Sequence, residues 1–505
     1  MAFKKILYII FKGDAEMKNK TKVILGALGA VAAADFVRAA AYTPEKQERI
    51  QLPAENVDAD RAAEHISKAI QFKTVSYPDP EEMDWQEFER FHAFLDEAYP
   101  LTAEHLEKEV VDRASLLYRW KGTDPTLEPI ALLAHQDVVP ISKGTEQDWE
   151  HEPFSGDIAD GFIWGRGAMD MKNHLICVME AVETLLEDGY QPTRDVYLCF
   201  GHNEEIVASE HSGARSIAEL FKSRGIHLDC VIDEGGAILP LNIKGIINGF
   251  IAGIGIAEKG YADFEITVET KGGHSSQPPK HSGLGQLANV IRDLENNQFK
   301  AEMLPFLTEL FDKIGRRVSL PAKLITCNLP YLNPVIKEIL KLIPPGASLI
   351  RTTTGVTMAQ GSPAANVLPQ RSSIVVNFRA MPGTTTKDIE EHIHKVVKNK
   401  KIQVKCLKAK EASNFSPTDS RAFKALEKIT VSDYPEAIVA PYLVMGGTDA
   451  YYYERVCENV YRYSPFIADT KLLLCTHGTN ERLPLDTVGE AVVFFKRYIK
   501  ELSGC

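Results

Sequence analysis

The sequence predicts an α/β protein built on a largely parallel sheet, with a smaller α+β unit inserted into it. Ile130–Ala134, Val196–Phe200 and Cys230–Ile232 are short, continuous apolar runs that end in polar residues. Strands buried on both faces of a sheet read this way. Helical patterns lie between them, the clearest from Met171 to Leu186, where Leu175, Met179, Val182 and Leu186 mark one apolar face. The insert announces itself by a change of period: Phe264–Glu269 alternates apolar and polar residues, as a strand with one wet face does.

From the N-terminus, Lys18, Lys20 and Lys22 precede the apolar run Val23–Ala34. A basic stretch before a short apolar core is a secretory signal pattern, and the core is short of the ~20 residues of a membrane span. Segment 1–45 therefore reads as a signal or membrane anchor of a secreted or membrane-attached protein, with a loose helix of a cytoplasmic protein as the alternative. Residues 46–254 carry the first α/β part. The insert spans 255–412: a strand near Phe264, a helix near Leu284–Leu294 and a long helical stretch through about Leu342 come first. Strands near Thr353–Met358 and Ser373–Phe378, a helix from Thr386 to Lys398 and a strand at Ile402–Leu407 complete a β-α-β-β-α-β, ferredoxin-like order. Residues 413–505 return to the α/β pattern.

At 505 residues the chain is long enough for more than one core. A net charge of −12 leaves no basic surplus to displace counterions, which argues against nucleic acid as a partner. Eight cysteines include no C-x-x-C pair, which argues against a thiolate zinc finger or redox motif. Tyr197–Phe200 and Leu473–Cys475 read as apolar runs with a buried thiol in each. Gly249, Gly253 and Gly255 imitate a dinucleotide loop at the wrong spacing. H-E-x-x-H and G-x-S-x-G motifs do not occur.

Ligands of open α/β sheets bind at the carboxyl ends of strands, and metal-capable residues stand there. His135 and Asp137 follow Ile130–Ala134, Glu204 and Glu205 follow Val196–Phe200, Asp233 and Glu234 follow Cys230–Ile232, and His477 follows Leu472–Cys475 as a fourth candidate strand. Asp170 precedes the long helix. Singly, each has a plain structural reading: an aspartate before a helix caps it, and a Glu-Glu pair is ordinarily solvated. Together, such groups repel one another unless cations neutralise them. Imidazole and carboxylate without thiolate suit zinc, with cobalt or manganese as substitutes. His135 and Asp137, two apart on an extended chain, share a face, so Asp137 can accept from the imidazole's far nitrogen.

His135–Pro140, Trp149 with Pro153–Gly156, Gly165–Asn173, Asn203–Glu205, Asp233–Gly236, Gly272–Ser276 and His477–Glu481 follow one another in an order that resembles the aminoacylase/carboxypeptidase family of zinc metallopeptidases. The resemblance runs from about Ala54 to the C-terminus, and Asp233-Glu234-Gly235-Gly236 with the D-x-K-N at Asp170 is most similar to the branch of carboxypeptidase S and the N-fatty-acyl-amino-acid hydrolases. It implies hydrolysis of an amide bond in an N-acyl amino acid or short peptide, with fatty-acyl amino acid hydrolysis or synthesis as the rival within the branch. It further implies two zinc ions, with Asp170 bridging, His135 and Asp233 completing one site, and Glu205 and His477 the other. Glu204 would be the general base, Asp137 would orient His135, and His274 on the inserted lid would stabilise the oxyanion, from the same chain or from a second subunit of a homodimer. Asn366, Arg379, Gly447 and Thr448 match substrate-binding positions. Three positions depart from the pattern: Asn203 stands where aspartate is common, Ile206–Ser209 replaces a glycine pair, and Tyr451 stands where arginine is common. A non-catalytic interaction module on the same scaffold would show a lost ligand or base, and none is lost. The apolar helices of Met303–Leu342 read as core or as the lining of an acyl pocket.

Overall fold

The computed structural model describes residues 33–44, 51–206, 209 and 211–504. Most of the expected signal or anchor segment, including Val23 to Ala32, lies outside the described residues. No helix among the described residues is long and apolar enough to cross a membrane.

In chain order, the strands that matter for the site begin with β1 (Glu107–Val111), β2 (Ser115–Trp120), β3 (Ile130–His135), β4 (Val196–Gly201), β5 (Cys230–Asp233), β6 (Ile238–Pro240) and β7 (Phe250–Glu258). Next come β8 (Gly260–Glu269), β9 (Thr353–Gln360), β10 (Arg371–Ala380) and β11 (Ile402–Lys410), then β12 (Ala437–Val444) and β13 (Val460–Arg462). The large sheet runs β1-β2-β4-β3-β5-β13-β7-β12, with β6 beside β7. Its centre is parallel, from β4 through β3 and β5 to β13. Every residue of β3, β4 and β5 is buried, which is why their sequences are apolar without alternation. The helix Lys172–Glu187 is buried from Lys172 to Leu185 and packs against the C-terminal helix Thr487–Ser503, so the face marked by Leu175, Met179 and Val182 is only part of what it hides.

The second sheet is antiparallel in the order β9-β10-β8-β11. Helices Gly283–Asn296 and Thr386–Val396 enclose its core with Phe264, Ile266, Leu287, Val290, Ile374, Phe378, Ile389 and Ile393. β8 is flanked on both sides and alternates buried and half-buried residues from Gly260 to Glu265, but within the expected stretch Phe264–Glu269 the alternation stops because Thr267 is buried. Between the first of these helices and β9 lie helices Pro305–Arg317, Leu320–Thr326, Leu329–Leu340 and Pro344–Ile350. Pro305–Arg317 packs against β12 of the large sheet.

One expected strand is a helix. Leu472–Cys475 lies in the helix Thr470–Cys475, whose N-cap Asp469 accepts from the amides of Lys471 and Leu472. Four apolar residues cannot distinguish the two states by period, and the cap decides. Its Leu474 is 76% exposed and Cys475 half-buried, so this thiol is not the buried one expected, whereas Cys199 is. The described cysteines are all free thiols. Of the false dinucleotide glycines, Gly253 and Gly255 lie inside β7, and a Cβ on Gly255 would stand 2.7 Å from Val444 Cγ2 and 2.8 Å from Arg462 Cβ.

Candidate metal centre

β3, β4 and β5 deliver their carboxyl ends side by side, and the side chains that end them converge. His135 is buried at the end of β3, with Nε2 at 3.0 Å from Asp170 Oδ1. The other oxygen of Asp170 lies 3.1 Å from Nε2 of His477, so one carboxylate spans two imidazoles. His477 Nε2 also lies 3.0 Å from Glu205 Oε2. Groups of ligand atoms close enough to share an ion are His135, Asp170 and Glu205, and His135, Glu204 and Glu234.

The structure brings Glu234, and not Asp233, to His135: its Oε1 is 3.2 Å from Nε2. Asp233 ends β5 fully buried and accepts the Ala450 amide at 2.7 Å. Successive residues of a strand point to opposite sides, so once Asp233 turns to the Ala450 amide, Glu234 turns to the imidazole. The glycines that follow let this happen. Gly235 has φ +106°, and a Cβ on Gly236 would stand 2.4 Å from the Gly253 carbonyl oxygen.

Asp137 holds more than its histidine. His135 Nδ1 meets the Asp137 backbone carbonyl at 2.9 Å and its carboxylate at 3.4 Å. The carboxylate accepts from Ser76 Oγ at 2.6 Å and from the amides of Glu204 and Glu205 at 3.0 and 3.2 Å. It therefore fixes the loop that carries both glutamates. Asn203 is part of the same loop, accepting from the Gly213 amide and donating to the His211 carbonyl. The Asp170 loop has its own anchor in Glu481, which is fully buried. Glu481 Oε1 accepts from the amides of Gly167, Met169 and Asp170 at 3.1, 2.9 and 3.1 Å, while Oε2 pairs with Arg166 at 2.5 Å. Thus the last residue of the His477–Glu481 motif orients the carboxylate that faces its first.

The electrostatics are those of crowded acidic and imidazole donors. Burial, then the charge of Asp170, pushes Glu205 up to about 7 and Glu234 up to about 8. Burial raises Glu204 well above the carboxylate range, and Glu234 and Glu205 add to it. Hydrogen bonds to Asp170 and then Glu205 push His477 up to about 10. Carboxylates that hold protons near neutrality beside protonated imidazoles are groups competing for too little positive charge. Divalent cations fit this set of buried oxygen and imidazole donors, and they supply the charge that is short.

Two cavities meet at the cluster. The first, about 340 Å³, is lined by Glu204, Glu205 and His477 together with Lys259, Tyr261, Arg379, Lys410, Gly447 and Thr448. Arg379 lies over the Tyr261 ring at 4.8 Å. Burial, then the charge of Arg379, lowers Lys259 to about 7. Lys410 is held by Glu258 at 3.1 Å and by the Thr448 carbonyl at 3.0 Å, and lies over the Tyr451 ring at 4.6 Å. Thr448 spends its amide and hydroxyl on Glu258. The second cavity, about 410 Å³, touches Asp170 and Glu234 and is otherwise largely apolar, with Leu239, Ile251, Leu310, Leu349, Tyr442 and Phe466 in its wall.

His274 and Asn366 are in neither lining. They sit together on an exposed two-stranded ladder where His274 pairs with Val367 and the Asn366 carbonyl accepts from Ser275. Sequence reasoning placed Glu234 at the end of its strand but gave it no role, and it missed Glu481, Lys259 and Lys410. The two glutamates stand inside quoted motifs and carry that signal, whereas the lysines have no local signature.

A model of peptidase family M20/M25/M40 matches residues 131–501. A probable carboxypeptidase S-like 2 of Dictyostelium discoideum is 36% identical, over 87% of this chain and 84% of its own length. An N-fatty-acyl-amino acid synthase/hydrolase PM20D1 of Xenopus tropicalis is 32% identical, over 86% and 85%. Among solved structures, an M20 family metallo-carboxypeptidase from Sulfolobus solfataricus shares the fold with a TM-score of 0.64 at 17% identity, covering 87% of this chain and 98% of that one. The chain belongs to peptidase family M20/M25/M40, in the branch of the carboxypeptidase S-like and N-fatty-acyl-amino-acid hydrolase proteins, and is an enzyme of the metallopeptidase class.

Proposed function

We propose that this enzyme is a di-zinc amidohydrolase releasing a free amino acid from N-acyl amino acids whose acyl group is apolar. The observation that carries the reading is the pair of cavities of opposite chemistry on either side of the carboxylate–imidazole cluster. The cationic one suits the carboxylate of an amino acid, which a guanidinium binds bidentately, and Arg379 is its natural partner. The apolar one suits an acyl chain, and the amide between them would lie across the cluster.

In this reading Asp170, His135, Glu234, Glu205 and His477 would hold the ions. Bound there, zinc would supply Lewis acidity toward the scissile carbonyl and a lowered pKa for water. Glu204, whose backbone amide is fixed by Asp137 and whose carboxyl is shifted up by burial, takes the proton of the attacking water. It then returns that proton to the leaving nitrogen. Arg379, with Lys259 and Lys410 behind it, holds the product carboxylate. The oxyanion contact would come from His274 of a second copy of the chain, because within one chain His274 is outside both linings.

The experiment is a parallel assay of long-chain N-acyl amino acids and glycyl dipeptides, with and without chelator. Turnover of the first class, abolished by chelation, is expected. Turnover of dipeptides alone would support carboxypeptidase action instead, and failure on both classes would reject each. Glu204→Gln should lose at least ~10²-fold in kcat while two metal ions remain bound; near-normal activity would sink the proposed role of Glu204.

A further inference from the structure

Outside the site, the helical stretch before β9 turns an apolar face to water. Tyr331, Val335 and Ile339 follow one another at four-residue spacing along the helix Leu329–Leu340, with Leu342 three further on, and all are exposed, Tyr331 at 78% and Leu342 at 82%. Ile325 adds to this ridge from the helix Leu320–Thr326. The opposite side of Leu329–Leu340 is apolar too, and its Leu340 packs on the main core. A surface helix ordinarily keeps its outer face polar, and a soluble monomer seldom exposes a contiguous patch of this kind without a use for it.

The helix at 33–41 sits against the same stretch. Asn328 Nδ2 donates to Asp35 Oδ1 at 2.5 Å, Arg38 Nη1 donates to Asn328 Oδ1 at 2.6 Å, and Tyr42 donates to Asp312 at 2.8 Å. Its Phe36 and Val37 are exposed. The chain that leads into this helix is the apolar run Val23–Ala34, preceded by Lys18, Lys20 and Lys22.

We propose that this face docks on an anionic lipid bilayer, with the helices of 320–343 lying in the headgroup plane. The argument for lipid over another occupant is the meeting of three features at one place. An exposed apolar ridge is anchored to the point where an apolar segment enters the fold. Lys323, Lys337 and Lys341 belong to these same helices or their ends, Lys341 beside Glu338 at 2.8 Å, although the chain as a whole carries a net charge of −12. Their stems can lie along the apolar surface while their ammonium groups reach the headgroups. The helix Leu329–Leu340 is 12 residues long, too short to span and suited to lying flat.

The test is co-sedimentation of the full chain with phosphatidylcholine vesicles, with and without phosphatidylserine. Binding that needs phosphatidylserine is expected. Combined Tyr331→Ser, Val335→Ser, Ile339→Ser and Leu342→Ser should weaken it by about tenfold or more, with hydrolysis of a short soluble substrate unchanged. In a second full-chain variant, Tyr331→Trp, emission should move to the blue on vesicle addition and be quenched by lipids brominated in their acyl chains. Absence of wild-type binding overturns the proposal. So does a serine variant that binds like wild type, or an unquenched tryptophan, since either assigns the binding to the N-terminal segment alone. A wild-type dimer that the serine variant makes monomeric, with no vesicle binding, assigns the face to a second copy and also overturns it.

Discussion

If the apolar cavity receives the acyl group, rate should climb with chain length until the cavity is full. Taking the ~30 Å³ share of a water molecule as that of one methylene, its volume of about 410 Å³ holds a chain on the order of ten carbons. Each methylene moved from water contributes about 0.8 kcal/mol, or roughly fourfold in kcat/KM at 1.36 kcal/mol per tenfold. A series from N-acetyl to N-dodecanoyl amino acid should therefore rise about fourfold per carbon and then level off. Leu310 forms part of the wall and is only half-buried, so Leu310→Asn changes its polarity at nearly constant size without emptying the core. That variant should lose about 1–2 kcal/mol on a decanoyl substrate, roughly 5–30-fold in kcat/KM, and nearly nothing on an acetyl one. The assay is release of the free amino acid under initial-rate conditions. A flat chain-length profile in the wild type, or equal losses on acetyl and decanoyl substrates in Leu310→Asn, would refute the assignment of this cavity.

Three further outcomes are expected. Arg379→Ala should cost roughly 10–100-fold in kcat/KM on a free-acid substrate, as loss of a charge-assisted hydrogen bond does; the matching C-terminal amide should be slow in the wild type and unaffected by the change. Stripping metal should leave a protein whose thermal stability, relative to the metal-loaded protein, falls as pH rises from about 5 to about 7, below the range where Lys172 and Lys259 act in the opposite direction. Glu205 and Glu234, at about 7 and 8, lie above the ordinary carboxylate value, so their contribution is present at low pH and lost through that window, and His477, at about 10, loses its contribution in the same direction. Calorimetric melts in chelator across that range check the slope, which metal addition should flatten; a rising slope would contradict the charge-deficit account. Finally, if Glu234 is the ligand as proposed, Glu234→Gln should lower the metal content of the purified protein, whereas Asp233→Asn should not, because an amide oxygen still accepts the Ala450 N–H; mass-spectrometric metal analysis showing the reverse would assign the position to Asp233.

What could be read from the sequence followed from rules that act within a few residues. Buried strands betray themselves by uninterrupted apolar runs, and the strand-end rule then located His135, Glu204 and Glu205 without knowledge of any partner. The rule works because β3, β4 and β5 are neighbours in one sheet with their carboxyl ends aligned. It could not choose between Asp233 and Glu234. Strand alternation fixes only that they diverge, and the direction is set by the Ala450 amide, 217 positions away in the chain. His477 shows the converse. Its ordered motif was legible while its surroundings were not, since the Asp469 cap makes a helix of a run that reads equally well as a strand. The cations were hidden for a similar reason to Glu234. Lys259 stands at the junction of β7 and β8 and Lys410 ends β11, and neither position means anything until the second sheet folds against the first. His274 and Arg379 both belong to the insert, yet only Arg379 lines the cationic cavity. The candidate ligands His135, Glu205 and Glu234 thus stand at strand ends of one sheet, whereas Lys259, Arg379 and Lys410 come together only where two sheets meet. A sequence of this kind accordingly yields its chemistry more readily than its specificity.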